Sequence, residues 1–160
     1  SKMLWTWTSA KVKDKDVYTD EDGRLGREKD SHVTVKWGFT STTPPHGMRK
    51  LCQETPPFVI HLGPVSLFKG DEYDVLKLSV VGAGLNRLHD AFGQFDNEDQ
   101  HKTYSAHVTL SYVKPGSCDH LVGDTVVPPE FSLIVVDQLR YKASGGAVQL
   151  KLKSGSKSSK

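Results

Sequence analysis

The sequence contains the tripeptide His-Val-Thr twice, and its residue types suit a general acid–base site. The first copy begins at His32 and the second at His107. Free histidine titrates at about pH 6.5, so one imidazole of a pair can accept a proton while the other delivers one. Cleavage of a phosphodiester needs both transfers. The hydroxyls of Thr34 and Thr109 can donate hydrogen bonds to the non-bridging phosphate oxygens, where negative charge builds in the transition state.

Each motif lies in a short run of β-branched, aromatic and aliphatic residues, which is typical of a β-strand. The runs are residues 31–38 and 106–113. Side chains two residues apart in a strand point to the same face, so the histidine and threonine of each motif should share a polar face backed by an apolar one. Lys36 falls on the first polar face, where it is a candidate phosphate-binding cation, and Ser111 falls on the second. The alternative for Lys36 is a solvated lysine at a strand end.

Aromatic side chains offer a second kind of substrate contact, because a base stacked on an aromatic ring gains about 1–3 kcal/mol. Trp7, on a predicted opening strand at 3–8, is a candidate for such stacking, and core packing is the alternative. Tyr104 precedes the second motif and could form a wall of the cleft. Trp37 and Tyr112 face away from the histidines in a regular strand, so we expect both in the core.

Nothing in the sequence indicates a metal or another cofactor. The seven histidines are dispersed, and carboxylates do not cluster near either motif. His61 also lies on a predicted strand, but a glycine stands two residues later where a threonine would be needed. The other histidines fall in predicted loops or on a helix surface, so we assign no histidine outside the two motifs to the site.

Composition restricts the partners and the compartment. The chain has 160 residues, enough to bury a core, and 21 basic against 19 acidic residues give a net charge of +2. This balance argues against duplex DNA as a partner, whereas a small or single-stranded anionic ligand remains possible. No apolar run has membrane-spanning length, and no segment reads as a signal peptide. Cys52 and Cys118 match no metal or redox spacing, so we expect free thiols in a cytoplasmic monomer, in the host cytoplasm if the protein is viral.

The remaining patterns predict an α+β protein of mainly antiparallel strands. A long charged loop at 11–30 follows the opening strand, and a loop of this length is often functional, for instance as a flap. After the first motif we predict, in chain order, a short helix at 48–52, strands at 58–62 and 65–68, a turn into a strand at 73–80, an amphipathic helix at 84–95, the second motif, a turn-like segment at 115–124, and strands at 131–136 and 148–152.

The element order is similar in the two halves of the chain. Each half carries one His/Thr strand followed by a possible helix and then two strands, as a diverged internal duplication would. Duplicated halves packed face to face would bring the two motifs to a common cleft. We therefore predict a single bilobal domain over 1–152, followed by a disordered tail of serine, lysine and glycine at 153–160.

The motifs His32-Val33-Thr34 and His107-Val108-Thr109 resemble the paired His-x-Thr/Ser motifs of the 2H phosphoesterase superfamily, also called LigT-like. Both motifs match in full, and the predicted element order fits this superfamily over roughly residues 3–152. The resemblance implies two lobes of antiparallel strands with helices outside, related by an approximate two-fold axis, with the active groove between them. It also implies a metal-independent catalytic tetrad of His32, Thr34, His107 and Thr109.

The residues that flank the motifs are most similar to the bacteriophage anti-CBASS branch of this superfamily. They read His-Val-Thr-Val-Lys-Trp-Gly and His-Val-Thr-Leu-Ser-Tyr-Val-Lys. Members of that branch degrade cyclic di- and trinucleotide messengers of bacterial defence, so the resemblance implies a cyclic di- or trinucleotide or a short oligonucleotide as substrate. The 2′-hydroxyl of such a ligand could be the nucleophile.

Other functions stay open at the level of the sequence. The same four residues would serve a phosphodiesterase for 2′,3′-cyclic phosphates, 2′-5′ oligonucleotides or RNA. A module that binds a nucleotide or an RNA end without turnover is a hypothesis of another class, and a structural protein with coincidental motifs is a third. The intact tetrad favours an enzyme, because binding alone needs no acid–base pair. Which histidine is the base and which the acid is open.

Overall fold

The computed structural model describes residues 2–100 and 103–154. Within these residues the fold is α+β, as predicted, and no helix is long and apolar enough to cross a membrane. The predicted tail at 153–160 lies outside the described residues from position 155 onward. The helices and strands are α1 (Lys2–Lys11), α2 (Met48–Gln53), β1 (Phe58–Phe68), β2 (Asp74–Val81), α3 (Ala83–Phe92), β3 (His107–Val113), β4 (Leu133–Val136), β5 (Gln138–Ala143) and β6 (Gly146–Lys151), with 3-10 helices at Asp14–Asp16, Asp119–Leu121 and Pro129–Phe131.

The strands form a four-stranded sheet in the order β3-β2-β1-β4 and a separate hairpin of β5 and β6. Neighbouring strands β1 and β2 are antiparallel, as are β2 and β3. The chain divides into two compact units, each assembled from three segments. The first unit comprises Ser1–Thr34, His61–Val81 and Ser105–Leu133, and the second comprises Val35–Ile60, Gly82–Tyr104 and Ile134–Lys160.

Helix α1 replaces the predicted opening strand at 3–8, so that prediction is wrong. The buried side chains Leu4, Thr8 and Val12 recur every fourth residue, which is the spacing of one helix face, and α1 packs against β3. The Thr8 hydroxyl donates a hydrogen bond of 2.8 Å to the Leu4 carbonyl, which satisfies this polar group in the interior. The alternation of two tryptophans had suggested a strand, but Trp5 is exposed and Trp7 is half-buried.

The segment at 11–30 has no long helix or strand, as predicted, but it does not stand away from the fold. It runs beside β3 and makes several backbone hydrogen bonds with it. The amide of Glu28 donates to the Leu110 carbonyl at 2.9 Å, and the amide of Tyr112 donates to the Gly26 carbonyl at the same distance. Because β3 is at the end of the strand order, this segment covers an otherwise open sheet edge. Its role as a flap stays a prediction.

The first motif does not lie on a regular strand, which corrects the prediction for residues 31–38. Its only described ladder contact is an isolated antiparallel bridge between Val33 and Val108. The chain bends at Val35 and Gly38 has a φ of +87°, so pairing cannot continue along this run. The expected burial of Trp37 is therefore wrong: its side chain is 57% exposed, because the strand that would have turned it inward is absent.

The second motif lies on β3 as predicted, but a bulge changes which side chains are buried beyond it. Leu76 of β2 pairs with Ser111, and the next residue of β2 pairs with Thr109, so Leu110 has no partner of its own. Leu110 and Ser111 are both buried, whereas Tyr112 is half-buried. The predicted polar face is thus correct for His107 and Thr109 and wrong for Ser111.

The second unit has its own apolar core. Both predicted helices are confirmed as α2 and α3, and α3 buries Leu85, Leu88 and Phe92 as its spacing indicates. The core consists of buried residues from these helices, from the β5–β6 hairpin and from the position directly after it, namely Met48, Cys52, Leu88, Phe92, Tyr141, Leu150 and Leu152. The strands differ from the prediction in three details. The strand predicted at 131–136 begins only at Leu133, after a 3-10 helix at Pro129–Phe131. The strands at 58–62 and 65–68 form the single strand β1, with an irregularity between Leu62 and Val65, and β5 was not predicted.

Candidate active site

The histidine and threonine of the second motif lie on the face of β3 that points away from the apolar core. His107 is paired with Ser79 of β2, and Thr109 is paired with Lys77. Val108, between them, is only 4% exposed and lies on the opposite face. His107 and Thr109 are half-buried, so both remain within reach of a ligand.

The bridge between Val33 and Val108 brings the first motif beside the second. Because the bridge is antiparallel, each motif histidine comes opposite the threonine of the other motif, on the face away from the two valines. His32 is near enough to His107 to lower the pKa of His107. The first unit thus brings four predicted site residues to one face: His32, Thr34, His107 and Thr109.

Both histidines make the same backbone contact. The Nδ1 atom of His32 lies 2.9 Å from the Asp30 carbonyl oxygen, and that of His107 lies 2.8 Å from the Ser105 carbonyl oxygen. A carbonyl only accepts hydrogen bonds, so each Nδ1 carries the proton and donates it. In the neutral ring the lone pair is then on Nε2. Each imidazole is held in the tautomer that presents a base, or after protonation an acid, at Nε2.

The surroundings of His107 favour its neutral form. Burial is the largest effect that lowers its pKa below the usual 6.5, and the positive charge of Lys77 and the neighbouring His32 lower it further. The hydrogen bond to the Ser105 carbonyl acts in the opposite direction but does not reverse the shift. The lowered pKa favours the neutral imidazole of His107 at neutral pH, and a neutral imidazole can accept a proton.

Lys77 is a candidate site residue that was not predicted from the sequence. Its side chain is in the middle of β2 and only 5% of the residue is exposed. The Nζ atom donates a hydrogen bond of 2.7 Å to the Ser66 hydroxyl and lies 4.2 Å from the centroid of the Phe68 ring. The Phe68 ring meets the His107 ring edge to face at 4.9 Å. The available signal was a lysine within an apolar strand, but only the β2–β3 register shows that it pairs with Thr109.

Lys36, the predicted phosphate-binding cation, belongs to the second unit. Its ammonium group lies 3.2 Å from the carboxylate of Asp99, and both side chains are largely buried. Lys36 therefore already has an anionic partner, and the regular strand on which its predicted position depended is absent. Its contact with a substrate stays a prediction.

The two predicted aromatic contacts lie on different elements. Trp7 is half-buried on α1. Tyr104, in the second unit, stacks on His89 with ring centroids 3.9 Å apart and planes inclined by 8°. His89 is fixed in turn by a 2.7 Å hydrogen bond from Nδ1 to the Val35 carbonyl, and burial raises the pKa of Tyr104 to about 12. Tyr104 is therefore a neutral, oriented ring, and its role as a cleft wall stays a prediction, as does base stacking by Trp7.

An open cavity of about 900 Å³ in the second unit is lined by the exposed Trp37 together with Asn97, Glu98, Asp99 and Gln100. No role was predicted for these residues.

The described residues include no group of three or more His, Cys, Asp or Glu side chains that could hold a metal ion. Cys52 and Cys118 are free and buried, as expected for structural thiols.

No protein-family model matches the chain, and no curated protein matches it. The functional interpretation therefore depends on the geometry of the two motifs and on the chemistry of the side chains around them.

Proposed function

We propose that this protein is a metal-independent phosphodiesterase of the 2H type, with His107 as general base and His32 as general acid. One observation carries the proposal: the antiparallel bridge between Val33 and Val108 sets two His-x-Thr motifs side by side with each histidine next to the other motif's threonine. Structural histidines have no need of this arrangement, whereas a base and an acid that act on opposite sides of one phosphate do.

The reaction follows from the positions of the protons. The neutral Nε2 of His107 takes the proton of a hydroxyl, for which the 2′-hydroxyl of the nucleotide itself is the proposed nucleophile. The oxygen attacks phosphorus, and the bond from phosphorus to the leaving oxygen breaks. His32, protonated at Nε2, delivers its proton to that oxygen. Thr34 and Thr109 donate hydrogen bonds to the non-bridging oxygens, whose charge grows in the transition state.

For the substrate we propose a cyclic di- or trinucleotide messenger, as in bacteriophage counter-defence against CBASS within the host cytoplasm. The residues that flank the two motifs support this choice over other phosphodiesters. The exposure of His32 and Thr34 is compatible with a ligand larger than a mononucleotide, since the first motif is open to solvent. A two-lobed 2H fold with a groove between the lobes is part of the same proposal.

The proposal is tested by incubating the protein with cyclic di- and trinucleotides, 2′-5′ oligoadenylates and 2′,3′-cyclic mononucleotides in the presence of EDTA. We expect cleavage of a cyclic oligonucleotide that EDTA does not abolish. The variants His32→Ala and His107→Ala should each lose a factor of about 10²–10⁴ in rate, which is the usual worth of one general acid or base. The matched control is His120→Ala, since His120 is an exposed histidine of the same unit outside both motifs.

Three outcomes would contradict the proposal. Activity that EDTA abolishes would overturn the metal-independent mechanism. Turnover that survives both motif substitutions would exclude the histidine pair. Nucleotides that bind without being cleaved, with an affinity that both alanine variants retain, would favour the binding module instead of the enzyme.

A further inference from the structure

Lys77 is a buried lysine that forms no ion pair with a carboxylate among the described residues. In the described part of the chain, the lysines within 4.0 Å of a carboxylate are Lys15, Lys36 and Lys69, and Lys77 is not among them. A buried ammonium group is costly unless hydrogen bonds or an opposite charge compensate it. The Ser66 hydroxyl and the Phe68 ring supply only polar and cation–π compensation.

The contacts of Lys77 fix its ammonium group on the side of the sheet that carries the motif residues. Ser66 is paired with Lys77 across β1 and β2, and its hydroxyl lies 3.1 Å from that of Ser79. Ser79 is in turn paired with His107. The Phe68 ring contacts both the Lys77 ammonium group and the His107 imidazole, so both groups pack against one aromatic side chain.

We propose that Lys77 is a positioning residue of the acid–base site, which acts through His107: its buried ammonium group, held by Ser66 and Phe68, keeps His107 the proton acceptor. The inference rests on the proposed function and deepens it, because it names the residue that gives two identical motifs different roles. A positive charge near His107 opposes the uptake of a second positive charge on the imidazole. His32 is open to solvent, whereas His107 is half-buried beside the lysine.

Among the residues that the structure describes, two charged or titratable side chains act on His107. Lys77 approaches from β2 and His32 from the first motif, and both act against protonation. From β1 the contacts of this cluster are Phe68 and Ser66, neither of which titrates. Removal of the Lys77 charge leaves His32 and the hydrogen bond to the Ser105 carbonyl in place, so a change in the His107 midpoint reports the lysine.

The test replaces Lys77 with methionine, which removes the charge but fills the same space, and with arginine, which keeps the charge. The titration of each histidine ring is followed by NMR in the protein without substrate. In Lys77→Met the midpoint of His107 should move to higher pH, and in Lys77→Arg it should stay near that of the wild type. The midpoint of His120, an exposed histidine outside the cluster, should be the same in all three proteins.

The activity measurement gives a second readout. The acidic limb of the kcat/KM profile should move to higher pH in Lys77→Met together with the His107 midpoint, while thermal unfolding shows that the variant remains folded. A merely structural lysine would change stability without moving either midpoint. If Lys77→Met proves unstable, Ser66→Ala tests the same charge by releasing its anchor, and a smaller shift in the same direction is expected.

An unchanged His107 midpoint in folded Lys77→Met would overturn the inference. Because the NMR titration needs no substrate, it also separates the inference from the proposed function. A shifted midpoint in a protein that cleaves no nucleotide supports the electrostatic role of Lys77 and contradicts the phosphodiesterase. If the protein cleaves a nucleotide but the His107 midpoint is the same in Lys77→Met as in the wild type, the result supports the phosphodiesterase and contradicts the inference.

Discussion

At the scale of single residues, the two motif histidines share their backbone contact but differ in their surroundings. Both rings donate from Nδ1 to the carbonyl two residues earlier, so both present Nε2. His107 is half-buried against Phe68 and near Lys77, whereas His32 is exposed. Two copies of one tripeptide therefore have different surroundings, and those of His107 favour the neutral imidazole that a general base requires.

This difference predicts the shape of the pH–rate profile. His107 acts as a base only when it is neutral, so kcat/KM should rise with pH as His107 loses its proton. Because burial and Lys77 lower the pKa of His107, the midpoint of this acidic limb should lie below 6.5. The rate should fall again at higher pH, when the acid has lost its proton. Initial rates at low substrate concentration across pH 4.5–9 measure both limbs.

An acidic limb with a midpoint above 6.5, or a rate that does not change between pH 5 and 8, would contradict the assignment of His107 as base. A solvent-viscosity control belongs to this experiment, since a rate limited by substrate encounter would hide both titrations.

At the scale of elements, helix α3 packs closely against Phe58 at the start of β1, and the contact is made at a glycine of the helix. An ideal Cβ built on Gly84 would lie 2.5 Å from the Cγ atom and 2.6 Å from the Cβ atom of Phe58. Real Cβ atoms do not approach other atoms this closely, so the helix and the Phe58 ring can meet only because position 84 has no side chain. The contact lies within the second unit.

Gly84→Ala should therefore destabilise the protein, although alanine is the better helix former by about 1 kcal/mol. Overpacking of this kind costs typically about 1–3 kcal/mol, so we expect a net loss of stability in urea unfolding. Gly145→Ala is the matched control, because a Cβ at Gly145, also in the second unit, meets nothing within 4 Å. A Gly84→Ala variant as stable as the wild type would show that Phe58 can move aside without cost.

The elements that the sequence predicts correctly are those whose patterns are local. Helix α3 follows from apolar residues at helical spacing, and β2 from strict alternation. Helix α1 was missed because two alternating tryptophans outweighed the four-residue spacing of Leu4, Thr8 and Val12. The first motif was assigned to a strand because β propensity does not reveal how many partners a segment will find. Here Val33 lies on no regular strand and has one bridge partner, Val108 of β3.

The same distinction holds for the candidate site. The four motif residues were identified from their types and their repetition, and a local pattern suffices for this. Lys77 was missed because its relation to Thr109 and His107 comes from the β2–β3 register and the bulge at Leu110. The register between strands that are distant in sequence cannot be predicted from either strand alone. A shift by one residue moves every side chain to the other face.

At the scale of the whole molecule, neither compact unit is a continuous stretch of chain. Each is assembled from three segments, and the motif residues come from two segments of the first unit, Ser1–Thr34 and Ser105–Leu133. The site therefore forms only when distant parts of the chain have folded together. Asp74, which is fully buried, joins two of these segments, His61–Val81 and Ser105–Leu133.

Asp74 accepts hydrogen bonds from three groups at the end of the sheet opposite His107. The Lys69 ammonium donates at 2.8 Å, the Gly116 amide at 2.9 Å and the Gly70 amide at 3.1 Å. Burial by itself would raise the pKa of Asp74, but these donors outweigh burial and the pKa lies below its usual 3.8. The carboxylate thus joins the turn after β1, the start of β2 and the turn after β3.

The first unit should accordingly depend on the charge of Asp74. Asp74→Asn weakens its charge-assisted hydrogen bonds and turns an amide donor toward other donors, so we expect a loss of roughly 2–3 kcal/mol in the free energy of unfolding at pH 7.

A lowered pKa contributes stability that is present above the pKa of the unfolded state and disappears as pH falls through the pKa of the folded state. The deficit of Asp74→Asn relative to the wild type should therefore be constant from pH 7 to about 5 and shrink below pH 4, as urea unfolding at each pH would measure. Asp71→Asn, which changes an exposed carboxylate in the same turn, should show no deficit at any pH. An Asp74→Asn deficit that stays constant down to pH 2.5 would mean that the shape of the side chain, and not its charge, joins the two turns to the start of β2.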